Sequence, residues 1–113
     1  MEINGNITGL LQVRKVVEID EIGSKIIDWE NVEEFEDGVL DLMGQTTNRD
    51  KFYSKIEEST HIFMCDYKPL DKEVRKTKDK RMIIDDEEYE VLLIDDPLNL
   101  HRHYEIYLKY VGG

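Results

Sequence analysis

The side chains of this 113-residue sequence best suited to chemistry are three histidines, one cysteine and two carboxylate runs. His101 and His103 stand two apart, so on a strand their imidazoles would share a face. A zinc site needs three or four His, Cys or carboxylate ligands, each held by its own hydrogen-bond partner. Neither the His101/His103 pair, nor His61, nor Cys65 supplies that spacing, and the plainer reading is a pair of exposed edge-strand histidines. Asp85 to Glu88 and Asp95-Asp96 lack the alternating ligands, central glycine and closing glutamate of a calcium loop. A strand-borne metal nuclease would pair a glutamate with a lysine two residues on, whereas Glu105 and Lys109 are four apart. These carboxylates read as solvated turn charge. The sequence has no glycine-rich phosphate loop, no nucleophile elbow and no cysteine beside a plausible base, so it is read as a non-enzyme with no cofactor and no metal. Cys65, inside the apolar run THIFMCDY, is read as a buried free thiol.

Two stretches carry positive charge. Arg49, Asp50, Lys51, Phe52, Tyr53, Ser54 and Lys55 interleave basic and aromatic groups in the manner of a single-strand stacking platform, or equally of an amphipathic helical turn. Lys72 to Arg81 holds six of the fifteen basic residues and reads as an exposed connection after Pro69. Fifteen basic against twenty-six acidic side chains leave a net charge of −11, which argues against gripping nucleic acid by its phosphates and against adsorption to an anionic membrane. No apolar run approaches the length of a membrane-spanning helix.

The elements that must position these groups are mostly strands. At the C-terminus His103, Glu105, Tyr107 and Lys109 alternate with Tyr104, Ile106, Leu108 and Tyr110, the period of a half-buried strand. Met82-Ile83-Ile84 and Tyr89 to Ile94 read as a hairpin joined by the four residues Asp85 to Glu88. The Asp95-Asp96-Pro97-Leu98-Asn99 turn folds the last strand back beside it as a meander. Nearer the N-terminus, Leu10 to Asp20 forms a strand, Gly23-Ser24 a turn, and Ile27, Trp29 and Phe35 the alternating positions of the next run, with Trp29 as the expected large core anchor. Gly38 to Gly44 reads as a short strand of its own bounded by glycines. Asn48 could cap a thin-striped helix or open a loop before the strand Thr60 to Tyr67. Six or seven short strands in one domain spanning 1–113 predict a mainly β fold, a small β-barrel or rolled antiparallel sheet with one short helix or long loop.

The order of these pieces, and above all the C-terminal third, carries a resemblance. A strand ending in Arg81-Met82-Ile83 is followed by a tight acidic turn, a Tyr89-Glu90-Val91-Leu92-Leu93-Ile94 strand, an Asp96-Pro97 turn and a final strand. This resembles the small head-closure, or head-tail joining, proteins of long-tailed phages, in particular the stopper class of phages infecting Gram-positive bacteria, over residues 9 to 111. Family members often carry a glycine in the turn where this chain has Asp85 to Glu88. The resemblance implies a virion protein made in the bacterial cytoplasm and housed in the neck, a β-barrel subunit assembled as a ring, twelvefold in that family. The ring would lie beneath the portal adaptor, close the DNA-filled head, and offer the docking surface for the tail terminator or tail protein, with DNA passing through its lumen. It also implies that the segment from Gln45, Thr46, Thr47, Asn48 and Arg49 through Lys55 to Ser59 faces the channel as a gate.

The expected partner contact is the basic set Lys72, Arg75, Lys76, Lys78 and Lys80, the basic stretch of an acidic protein. Alternative readings are a tail-completion or other neck protein of the same phage class, or an acidic regulator that binds a host protein.

Overall fold

The computed structural model describes residues 3–43 and 58–113. Six strands, β1 (Ile7–Ile19), β2 (Lys25–Leu42), β3 (His61–Asp66), β4 (Lys80–Ile84), β5 (Glu87–Asp95) and β6 (His103–Gly112), close into an antiparallel barrel in the order β1-β2-β3-β6-β5-β4. A five-residue helix, α1 (Lys72–Lys76), lies between β3 and β4, and a 3-10 turn, Pro97–Asn99, joins β5 to β6. The mainly β reading is therefore correct in its closed-barrel form, and closure pairs edges that would otherwise template aggregation.

Strand alternation fills the interior. Phe63 and Cys65 on β3, Met82 and Ile84 on β4, Tyr89 and Val91 on β5, and Tyr104, Ile106 and Leu108 on β6 all point inward, with Leu11 and Phe35 completing the core. Two glycines make room for the central ring. A Cβ on Gly38 would lie 2.3 Å from Phe63 Cζ, and one on Gly9 would meet Met82 Sδ at 2.7 Å and the Phe63 ring at 3.2 Å. The hydroxyl of the buried Tyr104 donates to the Lys68 carbonyl at 2.7 Å, so the phenol is satisfied.

Several local expectations change. The Gly38 segment is not a separate strand: β2 runs for eighteen residues through it, pairing with β1 on one side and, from Val39 to Leu42, with β3 on the other. The β4–β5 turn is two residues, not four. Asp85 and Asp86 take φ of 51° and 62°, the left-handed pair of a type I′ hairpin, and Glu87 and Glu88 already belong to β5. Lys72 to Arg81 is not a simple connection, because its first half is α1 and its last two residues open β4.

Trp29 is not a core anchor. Leu11 pairs with Glu33 but Gln12 pairs with Asn31, so Val32 is an extra residue on β2. That bulge reverses the faces beyond it: Phe35 stays inside, while Trp29, pairing with Arg14, turns out.

The β1–β2 hairpin also outruns the barrel. β4 pairs with β1 at Leu10 to Val13, and the Arg14 N–H still reaches the Asp79 carbonyl at 3.0 Å; beyond Arg14 β1 and β2 pair only with each other and form a ribbon, and the chain measures 51 × 28 × 28 Å. The ribbon ends in a tightly bonded turn. Asp20 Oδ1 accepts the backbone N–H groups of Ile22 (3.1 Å) and Ser24 (2.8 Å), the Gly23 N–H reaches the Asp20 carbonyl at 3.0 Å, and Gly23 supplies the φ of +86° that closes it.

Candidate functional site

The residues expected to touch a partner surround a groove between α1 and β5. It forms because β4 begins only at Lys80: β5 pairs with β4 no further than Glu90, leaving Leu92 to Asp95 with β6 as their only sheet neighbour. A bulge at Leu92, between the pairs Val91–Leu108 and Leu93–Tyr107, keeps both Val91 and Ile94 turned to the core. Two adjoining depressions result. One of about 430 Å³ is lined by Arg75, Lys76, Thr77, Lys78, Lys80, Val91 and Leu92; the other, about 320 Å³, is lined by Arg75, Lys80, Leu92, Leu93 and Ile94. Among the described residues no acidic side chain lines either one.

Four of the five expected contact residues rim or line this groove, and they are not equivalent. Lys80 is a structural cation: its ammonium donates to the Thr77 carbonyl and, at 3.4 Å, to the Arg75 carbonyl, satisfying the end of α1. Arg75 is exposed but leans on the barrel floor, its guanidinium 3.5 Å from the Tyr104 hydroxyl. Lys76 and Lys78 are exposed at the rim. Lys72, at the start of α1, is exposed but lines neither depression. The arrangement can hold an extended acidic segment with apolar side chains. Lys76, Lys78 and Arg75 would meet carboxylates, and the flanks of Leu92 and Leu93 would meet hydrocarbon.

The chemistry-bearing side chains are dispersed. His101 precedes β6 and its ring Nδ1–H donates to the Asp96 carboxylate, with its backbone N–H also on that carboxylate at 3.0 Å and its ring stacked on Tyr67 at 4.7 Å. His103 instead faces Glu105, 3.0 Å from Oε2, so the two histidines do not share a site. Nor does His103 lie on an edge strand, since β6 is paired by β3 and β5 and the imidazole is half-buried. His61 packs edge-on against Tyr89 at 5.2 Å. Cys65 is fully buried; that burial, with the Asp66 charge and against Lys68, pushes its thiol up to about 12, which leaves it protonated and unreactive. Among the described residues no three His, Cys, Asp or Glu side chains gather as metal ligands would.

One cluster has no counterpart in the sequence reading. On the outer barrel face Arg81 lies over Trp29, donates through Nε to Gln12 Oε1 at 2.7 Å, and pairs with Glu88 at 2.7 Å, while Gln12 reaches Asn31 at 2.6 Å. These residues come from β1, β2, β4 and β5, and the only sequence signal was the outward parity of Gln12, Arg81 and Glu88.

Gln45, Thr46, Thr47, Asn48, Arg49, Asp50, Lys51, Phe52, Tyr53, Ser54 and Lys55, expected to form a channel-facing gate, lie outside the described residues, in the stretch joining β2 to β3. No family model matches the chain, and no curated protein matches it.

Proposed function

We propose that the chain is a structural, non-catalytic subunit of a phage neck, a head-closure ring component that seals the DNA-filled head and presents a surface to the tail. The observation that carries the reading is the closed six-strand barrel with a projecting β1–β2 ribbon, because it combines a rigid body with an arm suited to reaching a neighbour. Such a division favours ring assembly, in which one subunit face must be complementary to a different face of the next. The net charge of −11 supports the same reading, since a lumen through which DNA slides needs weak affinity for phosphate.

The portal adaptor above and a tail terminator below are the proposed partners, and the virion neck is the proposed location. The test is deletion of the gene from the phage that encodes it, with particles examined by electron microscopy. Packaged heads that leak DNA beside free, complete tails are expected. Stable filled heads with defective tails would move the protein to tail completion, and normal infectious virions would remove it from the neck altogether.

A further inference from the structure

The ribbon tip and the α1–β5 groove are complementary in chemistry and lie on different parts of the subunit. The tip displays Ile19, 63% exposed, and Ile22, 88% exposed, flanking the carboxylates Asp20 and Glu21. Covering these two isoleucines would remove apolar surface from water, which favours a contact at the ribbon's end. The groove offers what the tip lacks: Arg75, Lys76 and Lys78 around the half-buried Leu92 and Leu93.

We infer that the tip of one copy, Ile19 to Ser24, docks in the α1–β5 groove of the next. Ile22 would sit against Leu92 and Leu93, and Asp20 and Glu21 against Lys76 and Lys78. The subunit's biological setting in this inference rests on the ring reading above.

Three observations select a second copy of this chain as the occupant. First, the tip cannot reach its own groove. Val13 pairs with Lys80 at the groove's edge, and the tip lies seven residues further along a paired ribbon, roughly 20 Å away at the rise of a strand. Folding it back would break the β1–β2 ladder that runs to the Ile19–Lys25 pair. Second, copies of net charge −11 repel one another, so a specific contact must set acid against a local basic excess. The groove lining supplies it: Arg75, Lys76, Lys78 and Lys80, with no acidic side chain among the described lining residues. Third, the tip is pre-shaped. The four hydrogen bonds of the Asp20 turn hold Ile22 out before any partner arrives, so little ordering cost is left to meet on docking. Tip and groove are different surfaces, so the contact is head-to-tail, the kind that propagates and closes only if its rotation allows.

The experiment uses the purified full chain. Glu21→Cys and Lys78→Cys variants are mixed and mildly oxidised, with Glu21→Cys plus Glu36→Cys as the control pair, Glu36 being exposed on the barrel part of β2. Buried Cys65 stays out of the exchange. The cross-linked heterodimer should exceed the control by at least about tenfold, the ratio of one properly placed contact; equal yields overturn the docking. Charge exchange gives an independent reading. Glu21→Lys and Lys78→Glu should each weaken self-association in sedimentation by about tenfold or more, and the double variant should restore it. Reversals that leave association unchanged also overturn the inference. Closed rings by electron microscopy without the Glu21–Lys78 cross-link would sink this contact and keep the ring reading. The cross-link together with assemblies of the unmodified chain that grow only as open filaments would keep the contact and sink the ring.

Discussion

The guanidinium carbon of Arg81 lies 4.3 Å from the centre of the Trp29 ring, on the outside of the barrel. Arg81 is held there by Gln12 and Glu88, so one side chain ties together β1, β2, β4 and β5. Its planar fork serves the stack and both hydrogen-bonded partners at once, which a lysine cannot do. Arg81→Lys should therefore cost about 1–2 kcal/mol, from the lost stacking and one charged hydrogen bond at a partly exposed site. Trp29 is the single tryptophan, so its fluorescence reports the local change. Arg81→Ala should shift emission to the red in the folded state; an unchanged spectrum would show that the guanidinium does not cover the ring.

Gly38 is a packing requirement. A methyl group there would sit 2.3 Å from Phe63 Cζ and 3.0 Å from the Met64 carbonyl, and the backbone contact cannot yield by a rotamer change. Gly38→Ala should lower stability by about 1–3 kcal/mol, as overpacking of a filled core does. Urea unfolding measures this, and adding Phe63→Leu should return part of the loss. A single variant as stable as the parent would contradict the placement of the Phe63 ring.

These two sites mark where the sequence is legible and where it is not. The alternation of Tyr104, Ile106 and Leu108, the β4–β5–β6 meander and the Gly23 turn could all be read directly, because each depends on residues close together in the chain. Trp29 departs from its alternation for a physical reason: its parity with Phe35 predicts a shared face, and the extra residue Val32 reverses it. The basic half of the groove was visible as Lys72 to Arg81. Its apolar half was not, because Leu92 and Leu93 read as core until β4 is seen to stop short of them. Likewise, that β1 and β2 outrun the barrel follows from the shortness of β4, some sixty residues further on.

The Asp85-Asp86 turn offers a stabilising substitution. Both residues sit at positive φ, which strains any side chain with a Cβ, and a type I′ turn prefers glycine at its second position. Asp86→Gly should raise stability by up to about 1 kcal/mol, the gain in the turn being partly offset by the freer unfolded chain. The melting temperature should rise by a few degrees. Asp85→Pro serves as the contrasting variant, since proline cannot adopt φ of 51° and should destabilise the hairpin.

Among the described residues, Asp95 should be the carboxylate whose removal helps most near neutral pH. It lies directly across from Glu105 in the β5–β6 ladder. Burial raises its pKa above the ordinary aspartate value, and the charges of Glu105 and Asp96 raise it further, with His103 opposing them. The ionised form is thus disfavoured in the folded barrel relative to the unfolded chain. Above the folded-state pKa the native state carries this penalty in full. As pH falls through that value, and then through the unfolded value of 3.8, the penalty disappears. Asp95→Asn should accordingly stabilise the protein at pH 7 by about 0.5 kcal/mol, the scale of a like-charge cross-strand pair. The gain should shrink toward zero below about pH 4. Denaturant titrations of both proteins at pH 7 and pH 3.5 distinguish the outcomes. An equal gain at both would assign the effect to packing of the amide, whereas a loss at pH 7 would mean that His103 holds Asp95 more firmly than Glu105 repels it.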